Sequence, residues 1–212
     1  MALSLKKGEG VSLRKEENDL TQVTIGLGWD IAEPVAKKGF LGGLFAPKPQ
    51  EFDLDAVAFL LDANGKVANL GPQQDLLKGD VILFNSQKHP SGHIWLTGDN
   101  RTGAGEGDDE QIIVKLNSLG EQYQRIVFVV SIYDGVKRGQ HFGSVKNCYI
   151  RAVDGKGKEL CRYNISGDAS YNNMRSLTFA EVVREGGAWK FKAIGSTHAA
   201  DTFVEVLKSY LP

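Results

Sequence analysis

A two-residue alternation of apolar side chains constrains this sequence more than any other feature. Within Thr21–Trp29, Val23, Ile25, Leu27 and Trp29 fall on one face and Thr24, Gly26 and Gly28 on the other; Asp30 ends the run. That is the period of a β-strand, whose successive side chains point to opposite sides of a sheet. Phe52–Leu61 repeats it with a difference. Phe52, Leu54, Ala56, Ala58 and Leu60 form a wholly apolar face, while Asp53 and Asp55 share the other with Val57 and Phe59. The strand is therefore expected to be buried on both sides, with charge at its beginning. Asp62-Ala-Asn-Gly65 is a hairpin turn leading to Lys66–Leu70. Further strands are expected at Asp80–Phe84, His93–Thr97, Gln111–Leu116, Arg125–Tyr133, Asn147–Val153, Glu159–Ile165, Ser176–Arg184 and Trp189–Ile194. Turns at Asp154–Lys158 and Glu185-Gly186-Gly187 join the last four into two hairpins. Only Ala199–Leu211 has helical spacing, in Phe203, Val206, Leu207 and Tyr210. Ten or more strands and one late helix predict an all-β fold: an antiparallel β-sandwich of two sheets with a short C-terminal helix, residues 1–212 forming one domain.

One stretch breaks the pattern. In 36–50, glycines and prolines forbid a stable element, yet Phe40, Leu41, Leu44 and Phe45 are apolar. It reads either as an insertion laid over the surface or as an apolar tip, flanked by lysines, that touches a partner or membrane. Net charge is −1, so bulk electrostatics gives no reason to expect nucleic acid as partner. No run approaches the ~18 apolar residues of a membrane span. The amino terminus resembles no secretory signal, which makes the cytoplasm the expected compartment and Cys148 and Cys161 reduced, small hydrophobes.

The chemistry gathers in carboxylates. Between Thr97 and Glu110 the chain carries Asp99, Glu106, Asp108, Asp109 and Glu110 against one arginine, with Gly98, Gly103, Gly105 and Gly107 interspersed. Such a loop can point carboxylates and carbonyls at one centre. Calcium wants six to eight oxygens at about 2.3–2.6 Å. Asp53 and Asp55, roughly 7 Å apart along their strand, are costly to bury without cations. The candidate ligands are Asp30, Asp53, Asp55, Asp99, Asn100, Glu106, Asp108, Asp109 and Glu110. Folded to one end of a sandwich, these groups either splay into solvent or hold a divalent ion. At about 4 Å two like charges near a protein surface repel by roughly 4 kcal/mol.

Other chemistry is less well supported. The acids at 106–110 would repel a phosphate from Gly103-Ala-Gly-Glu-Gly107. Lys66 stands where a calcium loop at Asp62 would need a ligand. Pro90 and Gly92 break the helix that His89 and His93 would need to share a metal, leaving exposed loop histidines as the expectation. The cysteines lack a catalytic setting, and Trp29, Trp95 and Trp189 are expected in the core rather than along a sugar site. No enzyme activity is expected.

Several segments together resemble the TerD family of bacterial tellurite-resistance and stress-response proteins: Gly26-Leu-Gly-Trp-Asp30, Phe52-Asp-Leu-Asp-Ala56, Gly98-Asp-Asn-Arg-Thr-Gly103 through Gly107-Asp-Asp-Glu110, Val130-Ser-Ile-Tyr133, Gln140-His-Phe-Gly143 and Trp189-Lys-Phe-Lys-Ala193. The resemblance spans nearly the whole chain. It implies a β-sandwich binding two calcium ions, with family positions falling on Asp30, Asp53, Asp55, Asp99, Asn100 and the 106–110 segment. It also implies a cytoplasmic protein without catalysis of its own, working with other Ter proteins, some at the inner membrane. The insertion at 36–50 departs from the family, where a short polar connection is common. Two functions stay open: a calcium-ordered interaction module in a stress response, or a metal-dependent binder or enzyme acting on a nucleotide or oxyanion.

Overall fold

The computed structural model describes residues 2–30, 51–98 and 107–212. The expected insertion at 36–50 and, among the candidate ligands, Asp99, Asn100 and Glu106 lie outside them. In chain order the strands are β1 (Leu3–Leu5), β2 (Gly10–Leu13), β3 (Val23–Asp30), β4 (Leu54–Leu61), β5 (Val81–Ile82), β6 (Ile94–Thr97), β7 (Glu110–Val114), β8 (Arg125–Ile132), β9 (Lys146–Val153), β10 (Glu159–Asn164), β11 (Ser176–Glu185) and β12 (Ala188–His198). Two short α-helices, α1 (Gly135–Arg138) and α2 (Phe203–Lys208), and five single-turn 3₁₀ helices complete the regular structure of the described residues. The strands form two six-stranded sheets. The first runs β1-β10-β9-β3-β7-β6 and the second β2-β12-β11-β8-β4-β5.

The alternation in β3 and β4 does what the pattern predicts. Ile25, Leu27 and Trp29 pack between the sheets with Phe52, Leu54, Ala56, Ala58 and Leu60. The opposite face of β4 presents Val57, Phe59 and Leu61 to Val206 and Leu207 of α2, with Phe203 and Tyr210 packed alongside. The rings of Phe59 and Tyr210 sit 5.6 Å apart. Each such side chain contributes about 1.5–3 kcal/mol when fully buried, which fastens α2 across the second sheet.

Four departures have local causes. β1 and β2 escape the sequence pattern, and β1 pairs with β10 in parallel, the one exception to antiparallel pairing among the described strands. The turn between them passes from one sheet to the other, Gly8 donating to Ala193 O, so no hairpin dictates the direction of β1. Lys66–Leu70 forms no strand: Val67 makes a single bridge to Leu61, and its amide donates instead to Tyr210 O. The expected helix 199–211 contracts to Phe203–Lys208, its end tightening into three-residue bonds from Ser209 N to Val206 O and from Tyr210 N to Leu207 O. Finally, His89 is buried rather than exposed. Its Nε2 donates to Asp80 Oδ1 at 2.7 Å, and its Nδ1 accepts from Ser91 N at 3.1 Å. Tyr123 also donates to Asp80, at 2.9 Å, and burial followed by that carboxylate pushes its hydroxyl up to about 12.

Cys148 and Cys161 are free and buried on neighbouring strands; Cys161 lies opposite Ala152, so the two thiols are out of register. Burial pushes the Cys161 thiol up to about 12 and raises that of Cys148 as well. Trp29 and Trp189 are core residues, while Trp95 lies half-buried beneath Lys115. Among the described residues, no helix is long and apolar enough to cross a membrane.

Candidate metal centre at the acidic end of the sandwich

Antiparallel pairing of β3 with β7, Leu27 opposite Glu110, sets the end of β3 beside the beginning of β7. The beginning of β4 is drawn to the same end, because Trp29 Nε1 donates to Phe52 O at 3.0 Å. Asp30, Asp53, Asp55, Asp109 and Glu110 are thereby placed at the termini of three strands at one end of the sandwich.

Three consecutive acids then take three directions. Glu110 opens β7 in register with the inward-facing Ile112 and Val114, and it is 1% exposed between the sheets. Its Oε2 accepts from Ala56 N at 2.7 Å, joining the two sheets. The reason lies in the neighbouring strand: β5 pairs with β4 only at Ala58 and Phe59, so the edge beyond it offers a backbone donor that burial obliges something to accept. Asp109 sits at a bend. Its amide donates to Leu27 O and its Oδ2 accepts from Trp29 N, both at 2.8 Å. Burial first, and then the nearby charges of Asp30 and Asp108, raise its carboxyl above the ordinary value; the bond from Trp29 opposes them without prevailing. Asp108 turns away onto the outer face of the first sheet, where Arg151 grips both of its oxygens.

Asp53 and Asp55 lie on the outer face of the second sheet, each 9% exposed. Asp55 stands opposite Ser131, whose hydroxyl meets that of Ser176 at 2.9 Å. The backbone of Asp53 is fixed by Tyr133 N, which donates to its carbonyl at 2.8 Å. Asp30, exposed at the end of β3, accepts from the side-chain amide of Asn147, a residue held in the left-handed region at φ 48°. Asparagine tolerates that conformation better than most residues, and here it turns its amide towards the acidic end.

The donor set suits a hard cation in its chemistry: carboxylates, with neither cysteine nor histidine among the predicted ligands. It fits incompletely in its geometry. Among the described residues no three acidic, histidine or cysteine groups are gathered closely enough to hold a metal, and Asp108 is committed to arginine. Ser131, Ser176, Asn147, Tyr149 and Arg151 border the centre and were not anticipated. The outward positions of β9 carry a signal, since Tyr149 and Arg151 alternate with the buried Cys148, Ile150 and Ala152; what they face depends on strand order.

Known proteins resemble this chain in sequence and in fold. A family model of the TerD domain matches residues 1–210. The chain is 56% identical over 215 residues to the tellurium resistance protein TerX of Serratia marcescens, covering all of both chains. It is 40% identical over 200 residues to the tellurium resistance protein TerD of an Alcaligenes species, covering 94% of this chain and 92% of that one. A crystal structure of a homologue of the telluride resistance protein TerD from Streptomyces coelicolor superimposes with a TM-score of 0.60 at 23% identity, over 91% of this chain and 99% of that one; this likeness concerns the fold.

Proposed function

The chain belongs to the TerD domain family, and from that premise we propose that its acidic end binds calcium as the ordering element of an interaction module in tellurium resistance and chemical stress response. Asp30, Asp53, Asp55, Asp109 and Glu110 would contribute ligands, completed by Asp99, Asn100 and Glu106, for the two ions that the family resemblance implies. Bound calcium would supply positive charge to a set of groups that otherwise repel one another. The protein's own part is to hold strand ends in place: Trp29 fixes both Asp109 and the start of β4, and Glu110 joins the sheets. The module would act in the cytoplasm without catalysis of its own, presenting its ordered loops to other Ter-type proteins.

The observation that carries this proposal is geometric: the pairing of β3 with β7 and the bond from Trp29 to Phe52 O bring Asp30, Asp53, Asp55, Asp109 and Glu110 to the strand ends at one end of the sandwich. Thermal unfolding of chelator-stripped protein, with calcium or magnesium added back, tests it. A ligand at a hundred times its dissociation constant adds about 2.7 kcal/mol per site, or roughly 5–10 °C for a chain of this size. A calcium-selective rise, lost in Asp53→Asn/Asp55→Asn, is the expected result. No rise with either ion would overturn the assignment of this end to a cation.

A further inference from the structure

We propose that Asp108 anchors the 107–110 segment rather than binding the cation, and that Arg151, with Tyr149, is the positioning residue that sets Asp109 and Glu110 in place. The part concerning the cation rests on the calcium proposal; the anchoring rests on geometry alone.

The anchor begins with two glycines. Gly26 and Gly28 face outward on β3. A Cβ at Gly26 would stand 2.1 Å from Asp108 Oδ2, and one at Gly28 would stand 2.3 Å from the ring of Tyr149. Only glycine lets the carboxylate and the phenol ring lie flat on the sheet at those positions. There Asp108 meets a fork of donors. Arg151 Nε reaches Oδ1 at 2.7 Å and Nη2 reaches Oδ2 at 3.1 Å, with Gln111 Nε2 adding a bond to Oδ2 at 3.2 Å. The hydroxyl of Tyr149 lies 3.0 Å from Oδ1 and 2.7 Å from Gly107 O, sharing its one proton between them. A carboxylate has about four lone-pair sites, and these groups engage them all in a side chain 1% exposed.

The clamp is itself held. Arg151 Nη1 donates to Glu159 at 2.7 Å, Arg162 donates twice to the same carboxylate, and the guanidinium of Arg162 stacks 4.0 Å from the ring centre of Tyr149. Bidentate arginine–carboxylate pairs of this kind fix geometry as well as charge. Asp109 follows directly, at a bend, with its own amide bonded to Leu27 O. Holding Asp108 on the outer face therefore determines where the next two carboxylates point. For Asp108 to ligate a cation it would have to release Arg151, and the cation would then sit beside a guanidinium.

The two roles predict effects of opposite sign. If Asp108 is a ligand, Arg151→Gln frees it and removes a repelling charge, so calcium binds more tightly. If Asp108 is the anchor, Arg151→Gln weakens calcium binding about 10–100-fold, as loss of an outer-shell partner does, with stoichiometry unchanged. Calorimetric titration would compare wild type, Arg151→Gln, Arg151→Lys, Asp108→Asn and the Arg151→Gln/Asp108→Asn double variant. The anchor predicts that Arg151→Lys retains part of the affinity and that the double variant is no weaker than the worse single one. Amide exchange at Asp109 in chelator supplies a readout without metal, expected to quicken at least about tenfold in both single variants while amides in the middle of β8 stay protected. Tighter calcium binding in Arg151→Gln, or loss of one ion from the stoichiometry in Asp108→Asn alone, would overturn the assignment. Should the wild type take up no calcium, the calcium proposal fails, and the exchange at Asp109 decides the anchor: unchanged protection in both variants sinks it. If Arg151→Gln does not fold, Arg151→Lys and Tyr149→Phe carry the same comparison.

Discussion

Asp154, opening the turn after β9, and Asp109, at the bend before β7, lie at opposite ends of the sandwich, and the protein treats them in opposite ways. Asp154 Oδ1 accepts from Lys156 N and Lys158 N, at 3.0 and 2.9 Å, and its Oδ2 accepts from Asp19 N at 3.3 Å. Burial alone would raise its carboxyl, but those amides hold it below the ordinary range. Asp62, in the turn after β4, likewise accepts from Asn64 N and Lys66 N and is lowered. Asp109 accepts from Trp29 N, yet it is raised by burial and by neighbouring acids. At one end the chain supplies the donors that its carboxylates need. At the other it gathers carboxylates whose mutual repulsion an added cation would offset.

The largest effect should follow from removing an acid whose partners are wholly internal. Asp80 is fully buried, and His89 and Tyr123 both donate to its Oδ1. Asp80→Ala strands two buried donors and opens a void, at a cost of about 3–5 kcal/mol in urea unfolding. A loss under about 1 kcal/mol would show that this cluster is not held by the carboxylate. Asp154→Ala comes next. Three backbone donors lose their acceptor at a residue only 5% exposed, which predicts a loss of about 1–2 kcal/mol. A variant as stable as wild type would erase the difference between the two ends.

How far the sequence discloses these ends depends on the range of the interaction. β3 and β4 are legible because burial on a strand is periodic, and Asp53 and Asp55 are conspicuous because they interrupt an apolar period. The turns at Asp62 and Asp154 are legible because an aspartate bonding amides two and four residues ahead is a local event. β1 and β2 span only three and four residues and carry no sustained alternation. The fate of Asp108 is set by Arg151, 43 residues away, through the strand order β9-β3-β7; no spacing encodes that. His89 shows the same limit, since Pro90 and Gly92 correctly exclude a helix without disclosing that Asp80 draws the ring inside.

A smaller effect, opposite in sign, should come from Asp109. Asparagine at this position can still accept from Trp29 N while losing the charge that Asp30 and Asp108 repel. In chelator at neutral pH, Asp109→Asn should be as stable as wild type or better by no more than about 1 kcal/mol, the repulsion being screened at a half-buried site. In calcium its thermal shift should shrink. A variant that is markedly less stable without metal would show that Asp109, like Asp154, serves the fold itself.

The smallest and most specific effect is the pH dependence of that difference. A carboxyl raised in the folded state binds its proton more tightly there than in the unfolded chain. Its favourable contribution is complete below the ordinary value of 3.8 and is lost as pH rises through the raised folded value. The advantage of Asp109→Asn over wild type should therefore be present at neutral pH and vanish as pH falls below about 4, where wild-type Asp109 is neutral too. Asp154 gives the reverse slope. Its carboxyl is lowered, so its stabilisation is present above 3.8 and is lost as pH falls through the lower folded value. Paired urea titrations of Asp109→Asn, Asp154→Asn and wild type across this range should give difference curves that bend in opposite directions. Curves that bend the same way would mean that one electrostatic regime governs both ends and that the acidic end is not set apart for a cation.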